Sequence, residues 1–167
     1  LAEGRITKGP LPEVDLSGYL VLPGIVDLHG DAFERHLAPR PSAPFRIETA
    51  LASVDRDAAA HGVTTAWIAQ SWSWEGGMRG PDFAERVMAA LAAYRSRALT
   101  DLRLQVRCEV HLVDTGPRLL AAVRRHGIDY VVFNNHLPEA LELAETDPKR
   151  LETWASRAGR SVEEHMD

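Results

Sequence analysis

His29, Asp31 and Glu109 are residues whose types and spacing could do chemistry. Each falls at or near the carboxyl end of a predicted strand. Imidazole and carboxylate together suit Zn²⁺ or Mn²⁺ better than Ca²⁺ or Mg²⁺. An ion held there would lower the pKa of a bound water and supply a hydroxide nucleophile. Alternation along a strand puts Asp27, His29 and Asp31 on one side and Val26 and Leu28 on the other. Along the third predicted strand, Gln105, Arg107, Glu109 and His111 share one side. Leu104, Val106, Cys108 and Val110 share the opposite one. Strands of a helix-covered parallel sheet usually read as continuous apolar runs. Here one face is charged, and isolated buried charges are costly, so that face needs partners, metal or water.

Each candidate has a plainer reading. His-x-Asp alone is weak, because most histidines are not ligands; two strands carrying the pattern in register strengthen it. Arg107 and Glu109 could form a structural ion pair. Cys108 falls on the apolar side, which favours a packed small hydrophobe over a nucleophile. Trp67, Trp72 and Trp74 could stack a nucleobase, but packing is the commoner use. Arg35, Arg40 and Arg46 follow the first strand and could grip an anion or simply be solvated.

The elements that must position these residues alternate. A strand is predicted over 24–29 and a helix over 47–60, closed by Gly62. A strand over 63–69 precedes a loop over 70–80. Pro81, with Asp82 and Glu85 as a capping box, opens a second helix striped by Phe83, Val87, Met88, Leu91 and Tyr94. A strand over 102–110, a helix over 117–126 ending at Gly127, and a strand over 128–134 follow, with helical sequence from 137 onward. This order predicts an α/β fold with a parallel sheet. Doubly wound sheets and (β/α)8 barrels both begin this way. A barrel best explains a polar strand face, because its interior can hold a polar site at the carboxyl ends of the strands.

Composition sets the bounds. The 167 residues carry 19 Lys plus Arg against 24 Asp plus Glu, a net charge of −5, which argues against a general nucleic-acid binder. No apolar run approaches the roughly 18 residues a membrane span needs, and no signal peptide is evident. A single Cys excludes an internal disulfide and a Cys-rich zinc module, pointing to a reduced, cytoplasmic setting. The sequence lacks an initiator Met, and Ser161 with Glu164 reads as a capping box opening a helix three residues before the end. A (β/α)8 barrel takes about 250 residues. The expectation is therefore a truncated chain: the end of a small β-structure over 1–19, then the first four β/α units, the N-terminal half of a TIM-type barrel, over 20–167.

The run from Leu20 to His29, Leu-Val-Leu-Pro-Gly-Ile-Val-Asp-Leu-His, resembles the entry to the first barrel strand of the amidohydrolase superfamily. Most members carry His-x-His there. His29-Gly30-Asp31, followed by Ala32-Phe33-Glu34-Arg35 and Pro39-Arg40-Pro41, is similar to the phosphonate-metabolism branch, the alpha-D-ribose 1-methylphosphonate 5-triphosphate diphosphatases. Arg107-Cys108-Glu109 resembles that branch's Arg-Cys-Glu, and the stretch from Phe133 to Pro138 its Asp-His-x-Pro segment. The resemblance implies a metal-dependent hydrolase that releases diphosphate from a ribosyl triphosphate. It implies His29, Asp31 and Glu109 as ligands of a divalent metal, zinc before manganese, with Asp31 and Glu109 as the catalytic carboxylates. Arg35, Arg40, Arg107 and His136 would contact substrate. Asn135 stands where the branch has Asp, and an amide cannot act as an anionic base. The family's later strands supply further His ligands and a catalytic Asp that would lie past Asp167, so the chain alone is expected to be inactive.

Two other readings compete. A deaminase or cyclic-amide hydrolase keeps the superfamily and changes the substrate; His-Gly-Asp and Pro-Arg-Pro speak against it. A non-catalytic α/β binding module leaves the charged strand faces unexplained. No Gly-rich phosphate loop follows any predicted strand. Open sheet edges would make the chain a homo-oligomer or a partner for the missing half of its barrel.

Overall fold

A computed structural model describes residues 14–40 and 43–166. The fold is α/β. Among the described residues, four strands, β1 (Ile25–Gly30), β2 (Val63–Trp72), β3 (Asp101–Glu109) and β4 (Tyr130–Asn134), are all parallel and ordered β1-β2-β3-β4. A doubly wound sheet reverses its strand order part-way. Sequential order around a curled sheet is instead that of the first half of a (β/α)8 barrel. The helices are α1 (Phe33–Leu37), α2 (Ile47–Ala60), α3 (Pro81–Tyr94), α4 (Gly116–His126), α5 (Leu137–Thr146), α6 (Pro148–Ala158) and α7 (Val162–Met166).

The core lies between the sheet and α1 to α4. Ala66, Ile68 and Trp72 of β2 and Leu102, Leu104, Val106 and Cys108 of β3 are buried with Leu51, Val87, Met88, Leu91 and Leu119 from the helices. The expected two-sidedness of β3 is therefore present, with Cys108 packed in the core. Trp72 is fully buried, its indole N–H donating to Thr115 Oγ1 at 3.0 Å. Asp55 of α2 is also fully buried. It accepts from Tyr94 Oη (2.9 Å), Leu99 N (2.8 Å), Thr100 N (3.0 Å) and Thr100 Oγ1 (2.7 Å), tying α2 to the end of α3 and the entry to β3.

Several expectations change. β2 runs on to Trp72, because residues 70–72 still pair with β3; the loop begins at Ser73. The capping box at Asp82 does not form. Gly80 is the N-cap of α3, and Asp82 and Glu85 instead bind the Arg118 fork of α4 at 2.6 and 2.9 Å. Charge-assisted bonds to one guanidinium replace the cap. The Ser161–Glu164 box does form, reciprocally, at 2.9 and 3.2 Å. Gly127 closes α4 in the left-handed region at φ 62°. Strict alternation fails in β1: the pairing register shifts on both sides of Val26–Asp27. Val26 (57% exposed) and Leu28 (55%) are left uncovered on this edge strand, with no helix packed over them among the described residues. Of the small β-structure expected over 1–19, residues 1–13 lie outside the described residues, and 14–19 contain a turn. Helix α6 is seated on the β2 loop at Gly77, whose φ is 52° and where a Cβ would stand 1.6 Å from the Ala158 carbonyl oxygen. No described helix is long and apolar enough to cross a membrane.

Candidate functional site

The segments at the carboxyl ends of the strands meet in one polar cleft. Asp31 follows β1, Ser71 is the penultimate residue of β2, Arg107 and Glu109 end β3, and His136 follows β4. Two cavities, of about 260 and 520 Å³, share Arg79, Arg107 and Thr153 in their walls. The smaller adds Glu75, Glu109, His136 and Trp154; the larger adds Asp31, Glu34 and Arg35.

The first polar group joins β1 to β3. Gln105 donates through Nε2 to Leu28 O at 2.8 Å, so its Oε1 faces His29 Nδ1 at 2.5 Å. That acceptor puts the His29 proton on Nδ1. Nε2 then faces Asp31 Oδ1, 3.3 Å away. A lone pair and a carboxylate oxygen repel each other unless a proton or a cation lies between them. With zinc–ligand distances near 2.0–2.2 Å, two ligands of a tetrahedral ion stand roughly 3.3–3.5 Å apart. A hydrogen bond from a ligand's second ring nitrogen is also what fixes metal-binding histidines. His29 and Asp31 thus fit as two ligands of a divalent ion.

Glu109 is held elsewhere. Its side chain is buried, His136 Nδ1 bonds Oε1, and His136 N donates to Oε2 at 3.0 Å. Both oxygens are engaged, and among the described residues no three His, Cys, Asp or Glu side chains are placed to hold one ion. The structure brings together His29 and Asp31, and separately Glu109 and His136, in place of the expected three-residue set. The alternative Arg107–Glu109 pair is also not formed: Arg107 Nη1 bonds Asp31 Oδ1 at 3.1 Å. Arg35 lines the larger cavity, whereas Arg40 is exposed and lines neither. Pro41 lies outside the described residues. Arg46 is solvated beside Glu48, at 3.5 Å.

A third group was not singled out from sequence. Arg79 bonds Glu75 through Nη1 (2.9 and 3.2 Å) and Glu34 through Nη2 (2.9 and 3.1 Å). Burial alone would lower the Arg79 pKa, but the charges of Glu75 and Glu34 outweigh it and raise it, so Arg79 is a permanent cation. Glu75, itself buried, also accepts from Ser73 Oγ at 3.2 Å and from the Trp154 indole N–H. The available signal was Glu75 and Arg79 four residues apart inside a Gly-rich loop. Trp67 donates to Asp129 Oδ1 at 3.0 Å under the Arg103 guanidinium, whereas Trp74 packs against His165 at 5.0 Å with its indole N–H left without a partner among the described residues. A further cavity of about 790 Å³, lined by Trp74, His111, Leu137, Arg160, Glu164 and His165 among others, shares no lining residue with the other two.

The chain is 29% identical over 149 residues to the alpha-D-ribose 1-methylphosphonate 5-triphosphate diphosphatase of Escherichia coli (strain K12). That alignment covers 86% of this chain and 39% of the relative's length. No protein-family profile matches the chain, and no solved structure does. The chain is therefore distantly similar to a hydrolase.

Proposed function

We propose that this chain supplies part of the active cleft of a metal-dependent hydrolase acting on a phosphoanhydride, its substrate a ribosyl triphosphate that loses diphosphate. One observation carries the metal reading: His29 Nε2, on a ring oriented by the Gln105 contact, faces Asp31 at the spacing of two ligands. The similarity to a diphosphatase supports the substrate class. His29 and Asp31 would hold the ion, zinc or manganese by donor chemistry. When bound, such an ion supplies a water of lowered pKa. Gln105 fixes the ring of His29. Arg107 offers its guanidinium to an anionic group in the cleft, and Glu109 keeps His136 turned to the same wall. Because the chain spans 39% of the relative's length, the complete reaction is proposed for the protein that carries this cleft. The test, made on the full-length protein that carries this cleft, is metal content by elemental analysis together with diphosphate release from the ribosyl triphosphate. Bound zinc or manganese and release that stops on chelation are expected. A metal-free protein that is inactive with every divalent ion supplied overturns the reading.

A further inference from the structure

Two guanidinium groups, Arg79 and Arg107, line both cavities of the cleft, and they differ in what they have left to bind with. Arg79 uses Nη1 on Glu75 and Nη2 on Glu34, and its Nε is buried without a partner. It is a strut between the β1 and β2 loops. Among the described residues Arg107 makes one side-chain hydrogen bond, Nη1 to Asp31 Oδ1 at 3.1 Å, and it keeps 24% of its side chain exposed. Charge-assisted bonds of this kind usually measure about 2.7–2.9 Å and favour a two-pronged fork. The Asp31 contact is longer and one-pronged, and Asp31 is 67% exposed. The same oxygen, Oδ1, also faces His29 Nε2.

We infer that Asp31 is an internal stand-in for the ligand's anion: it occupies Arg107 until a phosphate-type group displaces it. This rests on the reading of the cleft as the anion-binding face. Exchange is easy because a solvated ion pair is worth little, while a phosphate offers two oxygens to the fork. The displaced carboxylate is already beside His29. A cation drawn to His29 and Asp31 would therefore release Arg107, and an anion on Arg107 would release Asp31. Each ligand favours the other, as linkage requires.

The test is calorimetric titration of inorganic phosphate into the full chain without added metal, for the wild type, D31N, R107Q and the double variant. D31N should bind phosphate about three- to five-fold tighter, the scale of one solvated ion pair. R107Q should bind at least five-fold more weakly, and D31N should give no gain in the R107Q background. Asp31 is exposed, so D31N is expected to fold; circular dichroism checks this. An unchanged affinity in D31N overturns the exchange and leaves the hydrolase reading standing. An equal gain in the R107Q background also overturns it, reducing the effect to net charge. Phosphate binding to none of the four overturns both the exchange and the anion-binding cleft.

Discussion

Gln105 decides which nitrogen of His29 can bind anything. Its amide is oriented by the Leu28 carbonyl, and that orientation passes to the imidazole. Replacing it with Leu keeps the bulk and removes the acceptor. We expect Gln105→Leu to weaken zinc or manganese binding by about 10- to 100-fold, measured by competition with a chelator. An unchanged affinity would mean that His29 is not a ligand. At this scale the sequence was partly legible. Period-two alternation put Gln105, Arg107, Glu109 and His111 on one side of β3; the first three face the cleft, whereas β3 ends at Glu109 and His111 lies in the following turn beside Asn135. The pairing was not legible: Arg107 chooses Asp31 and Glu109 chooses His136, and both partners lie on other loops, over 20 residues away in sequence. Arg79 was missed because a Gly-rich loop advertises a turn, whereas its two carboxylate partners are set by how α1 and the β2 loop close on each other.

Among elements, α2, α3 and β3 are fastened through Asp55. Burial pushes its carboxyl up, but hydrogen bonds from Leu99, Thr100 and Tyr94 outweigh this and hold it below the usual carboxylate range. A carboxyl whose folded pKa is depressed stabilises the fold above its unfolded value, near 3.9, and that contribution disappears as pH falls through the folded value. Asp55→Asn cannot accept all four bonds and should cost about 2–3 kcal/mol at pH 7. Urea unfolding at pH 7 and at pH 3 checks both parts: the gap between variant and wild type should shrink on acidification. A gap that stays constant would show that the carboxylate charge contributes nothing. Most helices and strands were well marked, since their apolar spacing and terminal Gly residues are local signals; the five-residue α1 carries no such signal and was not expected. Pairing with β3, which prolongs β2 to Trp72, is a tertiary effect that sequence spacing does not carry. Arg118 likewise draws Asp82 and Glu85 away from capping α3.

For the molecule as a whole, the sheet has two edges left unpaired among the described residues. β1 exposes Val26 and Leu28, and β4 exposes Phe133 (69%). Such edges present unpaired backbone groups beside apolar surface and favour association. We propose that the chain self-associates through them. Sedimentation velocity should show a concentration-dependent rise in mass, and Val26→Lys with Phe133→Lys should reduce it. A monomer at every concentration would oppose this. The parallel α/β class followed from element order, and the charged face of β3 favoured a barrel over a doubly wound sheet. The bare edges could not be read in the same way. Val26 and Leu28 look like core residues in sequence, and only the strand order shows that nothing described lies over them.

Gly77 joins these scales. Its missing carbon leaves no clearance between the β2 loop and the end of α6, and α6 carries Thr153 and Trp154 of the cleft wall. The position works as a datum point: the cleft's depth on that side is set by contact between two backbones and not by adjustable side chains. Adding a single methyl group there would act as a shim, tilting a wall whose own residues remain unaltered.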